Sequence, residues 1–141
     1  MYEVHSYDPG ETTGYAVWLL DEGKCQFAGA SEIKGVAKFR IWLRKQNPRH
    51  IVCENFRLWP QMGQQLMWST FPAVRVIGSI EMFADLNGAV LHMQNSDKKT
   101  IGAMYAGLTY PTGKNTHWPN PLSAQAHGWY WLSEAGLWLP T

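Results

Sequence analysis

The chain begins in alternation. Met1-Tyr2-Glu3-Val4-His5-Ser6 and Tyr15-Ala16-Val17-Trp18-Leu19-Leu20 both have the period-two, β-branched and aromatic texture of strands. Between them lies Tyr7-Asp8-Pro9-Gly10-Glu11-Thr12-Thr13-Gly14, where Pro9, Gly10 and Gly14 make a turn and leave Asp8 at the end of the first strand. Asp21-Glu22-Gly23-Lys24 reads as a tight turn into a third strand over Cys25–Ala30. A helix follows from about Lys34 to Gln46, with Val36, Phe39, Trp42 and Leu43 on one face, and Asn47-Pro48 ends it. His50-Ile51-Val52-Cys53 has the apolar run of a buried strand, and Glu54 stands at its end. From Asn55 to Phe71 there is no period, which predicts a long loop. The next helix runs from residue 71 or 72 to Leu86, with Val74, Ile77, Ile80, Glu81 and Ala84 along one side and Asn87-Gly88 as its stop. Ala89–Met93 is a fifth strand, and Ser96-Asp97-Lys98-Lys99 caps and starts a short helix to about Tyr105. Thr109–Pro121 is loop, and a final helix covers Leu122 to Glu134 before Gly136.

This order predicts an α/β fold with one five-stranded mixed sheet. The first three strands form an antiparallel meander, the last two run parallel beside the first, and helices flank the sheet. A strand reached from the meander through a helix lies parallel to the first strand, so Asp8 and Glu54 come to one sheet edge. Two carboxylates a few Å apart repel one another, and a Mg²⁺ or Mn²⁺ between them relieves the repulsion. Alone, Asp8-Pro9-Gly10 is a turn whose Asp caps its own backbone; the pairing with Glu54 is what makes it half of a metal site.

Composition narrows the field. At 141 residues the expectation is a single domain, residues 1–141, and 45% hydrophobic content excludes a disordered chain. A net charge of +1 provides no global attraction to nucleic acid or to an anionic membrane, so any polyanion contact must come from local clusters. One such cluster is Lys34, Lys38, Arg40, Arg44, Lys45 and Arg49, half of the 12 Lys and Arg, which reads equally as a solvated helix face or a phosphate-contacting surface. No apolar run approaches the roughly 18 residues of a membrane span. Cys25 and Cys53 are too few for a disulfide framework and fit reduced thiols, from which a cytoplasmic setting is expected.

The element order resembles the RNase H-like fold, and two motifs bring it closer to the RuvC-type Holliday-junction resolvases, above all their short bacteriophage versions. These motifs are Asp8-Pro9-Gly10-Glu11-Thr12-Thr13-Gly14 and Val52-Cys53-Glu54-Asn55-Phe56. Ser96-Asp97-Lys98-Lys99 followed by Gly102 is similar to the family segment whose lysine faces the DNA backbone. Ser123-Ala124-Gln125-Ala126-His127-Gly128 is similar to the start of the family's last helix, usually Asp-Ala-x-x-His. The resemblance implies a metal-dependent endonuclease, with Mg²⁺ or Mn²⁺ as cofactor, that cuts branched DNA. Asp8, Glu54 and His127 would be its metal ligands, and Lys98, Lys99, Arg57, Phe56 and Trp59 its DNA contacts. An aromatic at Phe56 or Trp59 would stack in the branch point. The two-fold symmetry of a four-way junction implies a homodimer, with the apolar face of the Phe71–Leu86 helix or the Trp-rich ends as its interface.

The chain departs from this pattern at one point. The family places a further carboxylate at the start of the last helix, where this sequence has Ser123 and, one turn earlier, Asn120; a shifted register would put Gln125 there. Neutral oxygens hold a cation weakly. Either His127, Ser123 and Asn120 complete a modified catalytic site, or the chain is a catalytically impaired or non-catalytic nucleic-acid-binding protein on the same scaffold. A phosphate-binding fold of the actin and sugar-kinase type shares a similar first hairpin but needs two such domains.

Overall fold

A computed structural model describes residues 1–56, 71–113 and 117–140. β1 (Tyr2–Asp8), β2 (Thr12–Asp21) and β3 (Lys24–Lys34) form the meander, followed by α1 (Val36–Leu43) and β4 (His50–Glu54). Then come α2 (Pro72–Asn87), β5 (Val90–Gln94), α3 (Lys98–Tyr105) and α4 (Asn120–Glu134). The sheet order is β3-β2-β1-β4-β5, antiparallel across β3, β2 and β1 and parallel across β1, β4 and β5. The alternation and the crossover helices therefore yield the predicted mixed sheet.

Each sheet face carries its own core. Tyr7, Ile51 and Cys53 project toward α1 and α2 and meet Phe39, Val76 and Ile80. Val4, Ala16, Trp18 and Val52 project to the other face, where Ala124 and Leu132 of α4 cover them. Trp18 is fully buried and edge-on to Trp129. Burying a side chain of that size contributes several kcal/mol, because truncating a buried Trp costs about 3–5 kcal/mol.

Three details differ from the sequence expectation. β3 runs four residues past Ala30, to Lys34, because the long β2 strand offers it a partner as far as Thr12↔Lys34. The register shifts at Val17/Trp18, opposite Gly29, whose φ of 143° only glycine takes readily. Lys34 consequently belongs to a strand, and α1 starts two residues later. The face of α2 is rotated from that expected: Ala73, Val76, Ile80, Phe83 and Ala84 are buried, whereas Val74 is 48% exposed. The buried set has helical spacing too, and Phe83, the largest of these side chains, orients the helix. Finally, α4 begins at Asn120, with Pro119 and Pro121 at its start, where their missing N–H groups cost no intrahelical bond.

The basic cluster around α1 is partly structural. Arg40 Nε donates to Ser79 Oγ at 2.7 Å, tying α1 to α2, and the Arg49 guanidinium stacks 4.2 Å from the Tyr2 ring centre. Cys25 and Cys53 are free thiols. No helix among the described residues is long and apolar enough to cross a membrane.

Candidate active site

The register of three neighbouring strands builds the site floor. Asp8 follows the last β1–β4 pair, Tyr7↔Cys53, and Glu54 pairs with Gln94 across β4 and β5. Asp8, Glu54 and Gln94 therefore form a row across adjacent strand ends, on the face that α4 covers. Strands lie about 4.8 Å apart, so carboxyls in such a row come within hydrogen-bonding reach, and those of Asp8 and Glu54 do.

α4 supplies the ceiling. Its first turn presses against the β1–β2 hairpin so closely that a Cβ on Gly14 would sit 2.0 Å from the Asn120 carbonyl oxygen. One turn on, Ser123 is fully buried beside Asp8, and one further turn brings the fully buried His127 over Glu54. His127 Nε2 is 3.4 Å from Glu54 Oε1, and its Nδ1 lies 2.7 Å from Gln94 Oε1. From α3, Lys99 Nζ reaches the same Glu54 oxygen at 3.4 Å while resting 5.4 Å from the Trp118 ring centre. Trp118 in turn stacks on Tyr110. Lys99 can come this near because α3 and α4 almost touch: a Cβ on Gly102 would meet the Ala126 carbonyl oxygen at 1.9 Å.

The electrostatics are those of a crowded anionic pair. Burial raises the Asp8 pKa, the neighbouring Glu54 raises it further, and Ser123 and Lys99 only partly offset this. Burial also pushes Glu54 upward, but His127, Asp8 and Lys99 outweigh it and hold Glu54 below the ordinary carboxylate range. Within the pair, then, Asp8 is shifted toward its neutral form and Glu54 toward its charged form.

Two buried polar atoms face this pair with no well-formed hydrogen bond among the described residues: His127 Nε2, 3.4 Å from Glu54, and Ser123 Oγ, beside Asp8. Buried donors and acceptors are normally satisfied, so two orphans beside two carboxylates fit a site that accepts a cation. Among the described residues no three His, Cys, Asp or Glu side chains already form a ready ligand set. Glu54 is instead drawn toward Lys99 and His127.

Asp8, Glu54, Ser123 and His127 are thus brought together. Asn120 is placed at the hairpin by its backbone. Phe56 packs on Phe71, ring centres 5.3 Å apart, and lines a cavity of about 370 Å³ that also includes Asp8, Pro9, Glu54, Asn55, Ala73 and Ser96. Lys98 stands outside the centre, 3.6 Å from Asp97 Oδ2 and 5.8 Å from the Tyr130 ring centre. Arg57 and Trp59 lie outside the described residues. Sequence reasoning missed Gln94 and Trp118. The signal for Gln94 was its period-two place after Val90 and His92, at the same sheet edge as Glu54; for Trp118, whose partners are set by tertiary packing, there was none.

No protein-family model matches the chain, and no curated protein matches it by sequence. Solved structures do. Thermus thermophilus RuvC is 15% identical, with a TM-score of 0.63 and 99% of each chain covered. The same enzyme in complex with a Holliday-junction substrate gives a TM-score of 0.62 at 15% identity, again with 99% of each chain covered. Fowlpox virus resolvase in complex with Holliday-junction DNA is 13% identical, with a TM-score of 0.60, covering 93% of this chain and 99% of that one. This chain therefore has the RuvC-type RNase H-like fold.

Proposed function

We propose that this protein is a metal-dependent endonuclease that hydrolyses phosphodiester bonds in branched DNA, with the four-way Holliday junction as its substrate. The observation that carries the proposal is the meeting of Asp8 and Glu54 on adjacent parallel strands, beneath Nε2 of His127. Two of the solved structures with this fold are described as complexes with Holliday-junction DNA, which supports the choice of substrate. Asp8, Glu54 and His127 would hold Mg²⁺ or Mn²⁺, which when bound supplies an activated water and neutralises the scissile phosphate. The chain's own groups do the rest. Lys99, against Trp118, adds to His127 and Asp8 in holding Glu54 ionised and offers positive charge beside the cleft, while Phe56 presents an aromatic ring at the cavity wall for stacking on an unpaired base. Lys98, together with Arg57 and Trp59, would extend the contact along the DNA backbone.

A homodimer is part of this reading, since a four-way junction presents two equivalent cleavage points. On α2 an exposed stripe, Val74, Gly78, Met82 and Leu86, recurs every fourth residue, with glycine allowing close approach of a second helix. Ile41 of α1 is also exposed, at 56%.

One observation favours a second reading, a junction-binding protein with little or no cleavage. Ser123 sits fully buried beside Asp8, where the resemblance expects a carboxylate. The deciding assay is cleavage of a synthetic four-way junction with Mg²⁺ or Mn²⁺. Cleavage is expected, and Asp8→Asn should reduce it by more than the roughly 100-fold that even a residue behind a metal ligand can cost, while junction binding persists. Binding without cleavage under either ion supports the second reading; cleavage that survives Asp8→Asn refutes the assigned site.

A further inference from the structure

We infer that Gln94 is the positioning residue that makes His127 a cation ligand, and that it does so by fixing which ring nitrogen carries the proton. The inference deepens the metal half of the function proposed above. Gln94 ends β5 and is 8% exposed; its Oε1 lies 2.7 Å from His127 Nδ1. A side-chain carbonyl oxygen only accepts hydrogen bonds, so Nδ1 carries the hydrogen and donates it. In the neutral ring Nε2 then holds the lone pair, and it is Nε2 that points into the site, 3.4 Å from Glu54 Oε1, where a cation between the two would take the place of the proton that otherwise joins them. With the opposite tautomer, Nε2–H would face Glu54 and exclude a cation. Gln94 selects against that state before any ion arrives.

The choice of residue type follows from burial. His127 is fully enclosed, and a neutral amide orients it without adding a third negative charge beside Asp8 and Glu54. A nitrogen ligand also biases the site. Mg²⁺ prefers oxygen ligands and retains its waters, whereas later first-row ions accept imidazole more readily, so Mn²⁺ should bind more tightly than Mg²⁺.

The test uses the full chain and two readouts independent of cleavage. Long-range proton–nitrogen NMR of the wild type in chelator, at about pH 8 where an ordinary imidazole is neutral, should show His127 as the Nδ1–H tautomer. Calorimetric titration should show Mn²⁺ affinity falling about 10- to 100-fold in Gln94→Met, the range for groups behind a metal ligand. Mg²⁺ affinity should fall less. Gln94→Glu, which also accepts from Nδ1–H, should keep the tautomer, and Gln94→Met should add nothing once His127→Ala is present. An Nε2–H tautomer in the wild type, or unchanged Mn²⁺ affinity in Gln94→Met, overturns the inference. The tautomer measurement needs no variant, so misfolding of one cannot shield the idea. Wild-type protein that binds Mn²⁺ as described but never cuts a junction sinks the nuclease reading and leaves this one standing. A wild type that binds no Mn²⁺ sinks both.

Discussion

Position 123 decides how much charge the site can hold. Its hydroxyl is wholly buried, has no hydrogen-bond partner among the described residues, and adjoins an Asp8 already shifted upward by burial and by Glu54. Ser123→Asp would add a third carboxyl there. In chelator the variant should melt several degrees lower than the wild type, because burying an unpaired polar group costs about 1–3 kcal/mol, more when it is charged. Mn²⁺ should then raise its melting temperature more than that of the wild type, since an ion that binds only the folded state stabilises by mass action. Junction cleavage should rise at least about tenfold if a missing ligand limits turnover. Equal ion-induced shifts in the two proteins would show that position 123 does not face the cation. At this scale the sequence was informative but uneven. Asp8 and Glu54 were legible because a strand end and a parallel crossover fix where they must meet. Gln94 was not, because an amide at a strand end matters only through the histidine that packs over it.

The elements depend on close backbone approaches. Gly14 and Asn120 are in contact across the hairpin–α4 junction, with no room for a methyl group. Gly14→Ala should destabilise the protein by about 1–3 kcal/mol, the usual cost of overpacking, and should lower cleavage with it, since α4 carries both Ser123 and His127. A denaturant midpoint identical to wild type would mean the helix yields without penalty. Most elements could be read from periodicity, turn residues and helix stops. What could not be read was set by partners elsewhere in the chain: β3 extends because β2 gives it a template, and α2 rotates because Phe83 seats in the core. Two competing helical stripes were present in α2, and only packing chose between them.

For the molecule as a whole, pH and self-association are the readable variables. His5 is lowered by burial despite the nearby Glu3, His50 by burial and Arg49, and His92 by burial and the charge on His50. A histidine with a depressed folded pKa stays neutral after the unfolded chain has begun to take up protons. Its stability contribution is therefore intact above the ordinary value near 6.5 and is lost as pH falls below it. Asp8 opposes this in the same window: burial and Glu54 push its pKa up to about 8, so its contribution grows as pH falls from there. Glu54, held low, is ionised in both folded and unfolded chains and adds no slope. In Asp8→Asn, which removes that opposing group, the urea midpoint should drop between about pH 7.5 and 5.5; a flat or rising midpoint in this variant would contradict the histidine account. Association is tested at the stripe on α2, where Met82 is 65% exposed. Met82→Lys should convert a dimer to a monomer in light scattering while leaving the fold intact, and a variant that stays dimeric would move the interface elsewhere.

α4, which packs over both β1 and β4, also determines when the site comes into being. Ribosomal synthesis releases Asp8 and Glu54 early and His127 late. A nascent chain that has emerged only through β5 already holds both acids, yet it has no imidazole over them and leaves Trp18 and Val52 open to water. Under the proposed nuclease reading, hydrolytic competence would arrive with the last packing step, after which the sheet is also shielded. A prematurely terminated product would lack His127 over the two acids and be a ready target for proteolysis.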